Sequence, residues 1–163
     1  MLIQYPAGWD LPTGAFEHVV GFQDVMPAVL EAAGIAPPPG LTGASMLQAV
    51  RGRPWREFLH GEHSPCYAAQ EAMHYLPDAR QKYIYFPATG EEQLFDLTAD
   101  RAERTNLAGR PQWDERRRLW RRRLVELLAR RGDGFVRDGD LAVRPEGWSA
   151  VVEPDPSGPA GGA

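Results

Sequence analysis

The sequence has one cysteine, one lysine and no long apolar run among its 163 residues. A single cysteine, Cys66, excludes a disulfide within the chain, so cysteine usage does not reveal the redox compartment. Without about 20 consecutive apolar residues, no membrane-spanning helix is expected. The first residues also lack a basic segment followed by an apolar one, so we expect no signal peptide and, for the chain as it stands, a cytoplasmic location.

The overall charge does not indicate a particular class of binding partner. A net charge of −4 indicates neither nucleic acid nor an anionic membrane as a partner. Hydrophobic residues at 43% and charged residues at 25% are typical of a globular protein with a core. The arginines between Arg116 and Arg123 alternate with apolar residues and lack stacking aromatics, which favours a solvated helix face over a nucleic-acid site.

The first third of the chain predicts a leading strand, a helix and a proline-rich loop. Residues 1–6 read as a strand. We expect Asp24 to cap a helix that ends at Gly34, because glycine accepts the left-handed conformation found after helices. Its predicted apolar stripe consists of Val25, Val29, Leu30 and Ala33. Ser45 is expected to cap a second, short helix that runs to about residue 50.

The rest of the chain predicts short antiparallel strands followed by a long helix. Strands are expected near residues 58–61, 71–76, 81–86 and 93–97, because these segments alternate or are rich in aromatic and β-branched residues. A helix is expected over residues 112–131, with an apolar face of Trp113, Trp120, Leu124, Leu127 and Leu128. A short apolar patch follows, and residues 146–163 are expected to form a disordered tail.

The segment HGEH, from His60 to His63, contains the most suggestive chemistry. In a strand, residues three apart point to opposite faces, so these two histidines are not expected to bind one metal ion. We interpret Glu62 and His63 as polar groups that line a cleft; structural hydrogen bonding is the alternative. For Cys66 the sequence favours a small buried side chain over a catalytic thiol, and Lys82 reads as an edge residue or a pocket cation.

The order of segments resembles the C-terminal part of the sulfatases. The helix segment VVGFQDVMPAVLEAAGI is similar to a sulfatase helix that follows the catalytic core. Its matching residues are Asp24, Pro27, Leu30, Ala33 and Gly34, with Ala28 where the family has threonine. LTGASML, HGEH and the run RQKYIYFPATGEEQLFDLTADRAERTNL follow in the family's order. The resemblance covers residues 1–131 and implies an α+β fragment of the alkaline-phosphatase-like fold: a four-stranded antiparallel sheet packed by the final helix.

The resemblance also implies which parts of a sulfatase site lie elsewhere. The family uses formylglycine and Ca²⁺ or Mg²⁺, and their motifs come before the region that this chain resembles. The residues after Cys66 do not match the formylglycine motif. No catalytic or metal-binding residue is therefore expected in this chain, and Glu62, His63 and His74 are expected on the rim of the substrate cleft. Residues 1–52 would belong to the large α/β domain and residues 53–145 to a C-terminal subdomain.

Two functional hypotheses follow from the resemblance. The chain is the C-terminal portion of a sulfuric ester hydrolase that is inactive alone, or it is a non-catalytic partner that completes a separately encoded sulfatase core. The sequence does not decide among aryl sulfate, sugar sulfate, sulfamate and phosphonate ester substrates. No nucleic acid or membrane partner is expected.

Overall fold

A computed structural model describes residues 3–6, 8–65 and 68–145. Its backbone divides into two compact units. The first runs as far as Leu59 and includes Pro77–Arg80; the second comprises His60–Leu76 and the residues from Gln81 onward. The division into domains at residues 52 and 145 stays a prediction, and the tail expected at 146–163 lies outside the described residues.

The first unit contains two short helices and a small core. A 3-10 turn at Phe22–Asp24 leads into α1, Val25–Ala32, and α2 is Met46–Val50. As predicted, the Ser45 hydroxyl accepts a hydrogen bond from the Leu47 N–H at 3.3 Å and caps α2. Gly34 has a φ of +70°, which explains why the chain turns after α1. The core is formed by Leu11, Ala28, Met46 and Leu47, with Tyr5, Val20 and Val50 packed against it.

Asp24 does not cap α1 with its side chain, contrary to the prediction. Its carboxylate is buried and accepts hydrogen bonds from the N–H groups of Gly21 at 2.9 Å and Ala44 at 3.0 Å. The guanidinium of Arg56 donates to both carboxylate oxygens, at 2.5 and 2.7 Å. Burial by itself would raise the pKa of Asp24, but these hydrogen bonds and the Arg56 charge together hold it below the ordinary value. Asp24 therefore joins three separate segments of the first unit.

The side of α1 that is buried differs from the predicted apolar stripe. Val25 and Val29, expected in the buried stripe, are exposed, while Pro27 and Ala28 are buried instead. Phe22, Met26 and Val29 are 90%, 56% and 61% exposed and follow one another at helical spacing along one side. We call these three residues the exposed stripe. The predicted leading strand is also wrong for residues 3–6, which form no strand.

The second unit is built on a four-stranded antiparallel sheet in the order β1-β2-β3-β4. The strands are β1 Gly61–His63, β2 Met73–Pro77, β3 Gln81–Phe86 and β4 Glu91–Asp96. β3 has the predicted bounds, and the turn between β3 and β4 uses Gly90 with a φ of +75°. The predicted α+β class is confirmed.

A long helix, α3 (Asp114–Ala129), packs on one face of this sheet. Its buried residues are Trp120, Leu124 and Leu128, three of the five predicted for its apolar face. The Trp120 indole donates to Gln81 Oε1 on β3 at 2.9 Å. No helix in the described part of the chain has the length and apolar character needed to cross a bilayer.

Two arginines of α3, Arg117 and Arg121, are tied to acidic side chains of the second unit, whereas Arg116, Arg118 and Arg122 are exposed. Glu92 on β4 accepts hydrogen bonds from Arg117 at 3.0 Å and from Arg121, and the Tyr83 hydroxyl donates to it at 2.8 Å. Arg121 also forms an ion pair with Asp140, 2.7 Å from Nε to Oδ1. These contacts link the helix to the sheet.

A hairpin that the sequence did not predict follows α3. It consists of β5 Val136–Arg137 and β6 Asp140–Leu141, which pair antiparallel. Phe135, just before β5, is almost completely buried. Two-residue strands are too short to show the alternation from which strands are predicted.

Candidate functional site

The pairing of β1 with β2 decides which predicted site residues meet. Glu62 lies opposite His74, while His63 lies opposite Met73 and Gly61 opposite Tyr75. Because directly opposed residues share a face and neighbours alternate, Glu62 and His74 lie on one face and His63 on the other. The structure therefore brings together two of the three predicted rim residues and separates the third from them.

His60 is the residue that the sequence reasoning missed. It lies two positions before Glu62, and its Nε2 is 3.2 Å from Nδ1 of His74. The two imidazole rings stack with centroids 5.4 Å apart. The sequence offered one signal: residues two apart in a strand share a face, so His60 and Glu62 could lie together. That spacing does not show which face of the strand other residues cover.

Burial and charge define the state of the two histidines. His74 has no exposed surface, and the ring of Phe135 meets it edge-on with centroids 4.5 Å apart. Burial lowers the pKa of His74 to about 4, an effect that the nearby Glu62 carboxylate opposes. Burial also lowers the pKa of His60. Both imidazoles are therefore neutral near pH 7, with a single hydrogen between their facing nitrogens.

Glu62 also binds an arginine that follows α3. Its Oε1 accepts a hydrogen bond from Arg131 at 2.7 Å, and its Oε2 is 3.6 Å from His74 Nδ1. Arg131 also pairs with Asp133 at 2.7 Å, so its charge is shared between two carboxylates. Burial would lower the pKa of Arg131, but Glu62 and Asp133 raise it overall. We refer to His60, Glu62, His74, Arg131, Asp133 and Phe135 as the edge-strand cluster.

The cluster presents an accessible hydrogen-bond acceptor on Glu62. Glu62 keeps about a third of its side-chain surface exposed and can accept hydrogen bonds from hydroxyl or ammonium groups. His74 is fully buried, so any influence it has on a ligand acts through Glu62 and His60. Within residues 3–6, 8–65 and 68–145, no group of three or more His, Cys, Asp or Glu side chains fits a metal ion. Cys66 lies outside the described residues.

The opposite face of the sheet carries His63, which is exposed, together with Tyr75 and Lys82. A Cβ added to Gly61 would lie 2.2 Å from the Tyr75 ring, so the ring crosses β1 only because glycine is there. The Lys82 ammonium donates to Glu103 at 2.7 Å and lies 5.9 Å from the Tyr75 ring centroid. Lys82 is thus a paired sheet residue rather than a pocket cation.

Comparison with known proteins places this arrangement in a family. Residues 1–130 match the family model described as N-sulphoglucosamine sulphohydrolase, C-terminal. The chain belongs to the sulfatase family, in its C-terminal region. This sulfatase chain is 35% identical over 131 residues to an arylsulfatase of Clostridium perfringens, a match that covers 79% of the chain and 26% of the relative.

Solved structures support the same fold for the sulfatase chain. A 2-O GAG sulfatase superposes with a TM-score of 0.61 at 24% identity, over 76% of this chain and 27% of its own. A phosphonate monoester hydrolase from Silicibacter pomeroyi superposes with a TM-score of 0.54 at 25% identity, over 66% of this chain and 24% of its own. The chain spans about a quarter of the length of each of these three relatives. The resemblance inferred from the order of segments is confirmed.

Proposed function

We propose that this chain supplies a non-catalytic wall and structural support to a sulfuric ester hydrolase and has no sulfatase activity by itself. The observation that carries the proposal is the match of residues 1–130 to the C-terminal sulfatase family. Glu62 and His63 are the proposed rim residues, on opposite faces of β1. His74 supports Glu62 from beneath.

We propose binding contacts, and no catalytic step, for this chain because of the groups that sulfate ester hydrolysis requires. The reaction needs a nucleophile, a divalent cation that polarises the sulfate oxygens, and an acid that protonates the leaving group. The described residues do not fit a cation site. Glu62 and the neutral His60 offer hydrogen-bonding groups that suit the polar, uncharged part of an ester better than its sulfate.

We expect the purified chain of 163 residues not to hydrolyse an aryl sulfate. Turnover should equal that of a protein-free control, with or without added calcium or magnesium. The measurement is release of the phenol, with a complete arylsulfatase as the positive control. Hydrolysis above the blank that disappears with a chelator would contradict the proposal.

We also propose that a separately encoded sulfatase core binds the exposed stripe of the first unit. Met26 and Val29 on α1 and Phe22 in the preceding 3-10 turn are large exposed apolar side chains at helical spacing, and large apolar side chains exposed together commonly mark an interface. The three relatives are about four times as long as the region they share with this chain, and the remainder of such a protein is the occupant that we propose for the exposed stripe. This partner role is the second candidate function.

Replacing Phe22 and Met26 with aspartate should weaken binding to such a core by more than about tenfold, because buried charge is costly at the centre of an interface. The test is co-purification and titration with a core encoded beside this chain that contains the formylglycine motif. Val143→Asp is the matched control, since Val143 is 54% exposed but belongs to the second unit. The partner role is wrong if the original chain fails to bind, or if the stripe and control variants bind equally.

A further inference from the structure

β1 is the least supported strand of the four-stranded sheet. It has three residues and lies at an edge, so it pairs with β2 alone. Short edge strands have few backbone hydrogen bonds and open at lower free energy than central strands. What keeps β1 in place must therefore come largely from its side chains.

Two side-chain contacts fasten β1 on the face that carries His74. His60, directly before the strand, meets His74 through the 3.2 Å contact between ring nitrogens. Glu62, at the centre of the strand, binds Arg131 at 2.7 Å. His74 and Phe135 are both buried, and their rings meet edge to face.

The first of these contacts depends on protonation. Two imidazoles can share a hydrogen bond only while one facing nitrogen lacks a proton. If both rings were charged, two N–H groups would face each other at 3.2 Å in a partly buried site. Release of the strand would let the two charged rings separate.

The other charges around the pair do not remove this conflict. Glu62 and Asp133 favour a charged histidine, while Arg131 opposes it and already pairs with both carboxylates. Phe135, which covers His74 from the other side, offers no charge. Burial remains the dominant influence on both rings.

We propose that β1 is an acid-sensitive edge strand, in which protonation of the His60–His74 pair releases Gly61–His63 from β2 and displaces Glu62 and His63. This opening involves residues of the second unit only. It does not depend on the role proposed for the chain in a sulfatase.

The size of the effect follows from the two states of His74. Its pKa is lowered in the closed state, so the open state binds more protons and the closed strand is favoured fully only above the ordinary value of 6.5. That preference is lost as the pH falls from 6.5 toward about 4. Between pH 7 and pH 5 the opening equilibrium constant should rise about 20-fold.

Amide hydrogen exchange of the whole chain across this pH range tests the proposal. After correction for intrinsic exchange, protection of β1 and of the facing amides of β2 should fall about 20-fold between pH 7 and pH 5. Protection at β3 and β4 should stay constant. Unchanged β1 protection, or equal loss in all four strands, would overturn the proposal.

Variants identify the responsible groups. His60→Gln keeps hydrogen-bonding capacity, and its amide oxygen can accept a hydrogen bond from a protonated His74, so it should reduce the pH dependence of β1 without abolishing it. His63→Gln, on the opposite face of the same strand, should leave that dependence unchanged. The reverse pattern would overturn the proposal. If His60→Gln fails to fold, side-chain NMR of the original chain decides, since both rings must then take up protons over the range in which β1 opens.

Discussion

Replacing Asp24 with alanine is expected to destabilise the first unit by about 3–5 kcal/mol. The carboxylate is completely buried and receives four hydrogen bonds from three segments of the chain. Its removal leaves the Arg56 guanidinium, only 21% exposed, without its counter-charge. The amide donors of Gly21 and Ala44 also lose their acceptor. Urea unfolding, with hydrogen exchange to assign the loss to the first unit, provides the measurement.

The Glu31–Arg51 ion pair offers a matched control in the same unit. Its side chains are 26% and 39% exposed, and Gln48 also donates to Glu31 at 2.5 Å, so Glu31→Ala should cost clearly less than Asp24→Ala. Equal losses in the Asp24 and Glu31 variants would show that the buried pair contributes no more than a surface one. The double variant lacking Asp24 and Arg56 should lose less than the sum of the single variants, because no charge is left alone.

The pH dependence of the two units should differ, which separates the Asp24 pair from the edge-strand cluster. The pKa of Asp24 is below its ordinary value of 3.8 in the folded state, so its contribution is present above that pH and is lost only as the pH falls through the lower folded value. The histidine contribution is lost at milder acidity, below 6.5.

Replacing Glu92 with alanine should destabilise the second unit by about 1–3 kcal/mol, because it leaves hydrogen-bond donors of three side chains without their acceptor. Its side chain is 11% exposed and accepts from Tyr83, Arg117 and Arg121. Burial, reinforced by the Glu92 charge, raises the pKa of Tyr83, so this hydroxyl remains a donor that needs its acceptor. Without Glu92, Arg117 keeps Asp114 as its ion-pair partner among the described residues, and the ion pairs that link α3 to Glu92 on β4 are lost.

Asp114→Ala is the control for Glu92. Asp114 pairs with Arg117 and Arg118 but is 41% exposed, so its removal should cost less than the removal of Glu92 despite its favourable position in the first turn of α3. Urea unfolding followed by circular dichroism measures both variants. A loss after Glu92→Ala no larger than after Asp114→Ala would contradict the assigned role of the network.

The elements that the sequence predicted well depend on local rules. Ser45 caps α2 through an amide two residues away, and Gly34 ends α1 through its own backbone conformation. The third strand, residues 81–86, has the predicted bounds because aromatic and β-branched side chains occupy the last four of its six positions. The family was recognised from the order and composition of segments, which needs no three-dimensional information.

The predictions that failed depend on distant partners. Asp24 was expected to cap the helix beside it, but Ala44 and Arg56 lie 20 and 32 positions further along the chain. Val29 was expected inside because it is apolar, yet burial on α1 is decided by the core that Leu11 and Leu47 form. Nothing local to α1 identifies that side.

The HGEH segment shows the same division within four residues. From the sequence, alternation along a strand determined that His60 and His63 cannot share a face, and composition determined that the segment is polar. Only the tertiary structure decided that the His60 face is the covered one. The residues that cover it, Arg131 to Phe135, lie about 70 positions away, as the 69-residue separation of Arg131 from Glu62 shows. Strand geometry is fixed by neighbouring residues, whereas burial is fixed by whatever the rest of the chain packs against the strand.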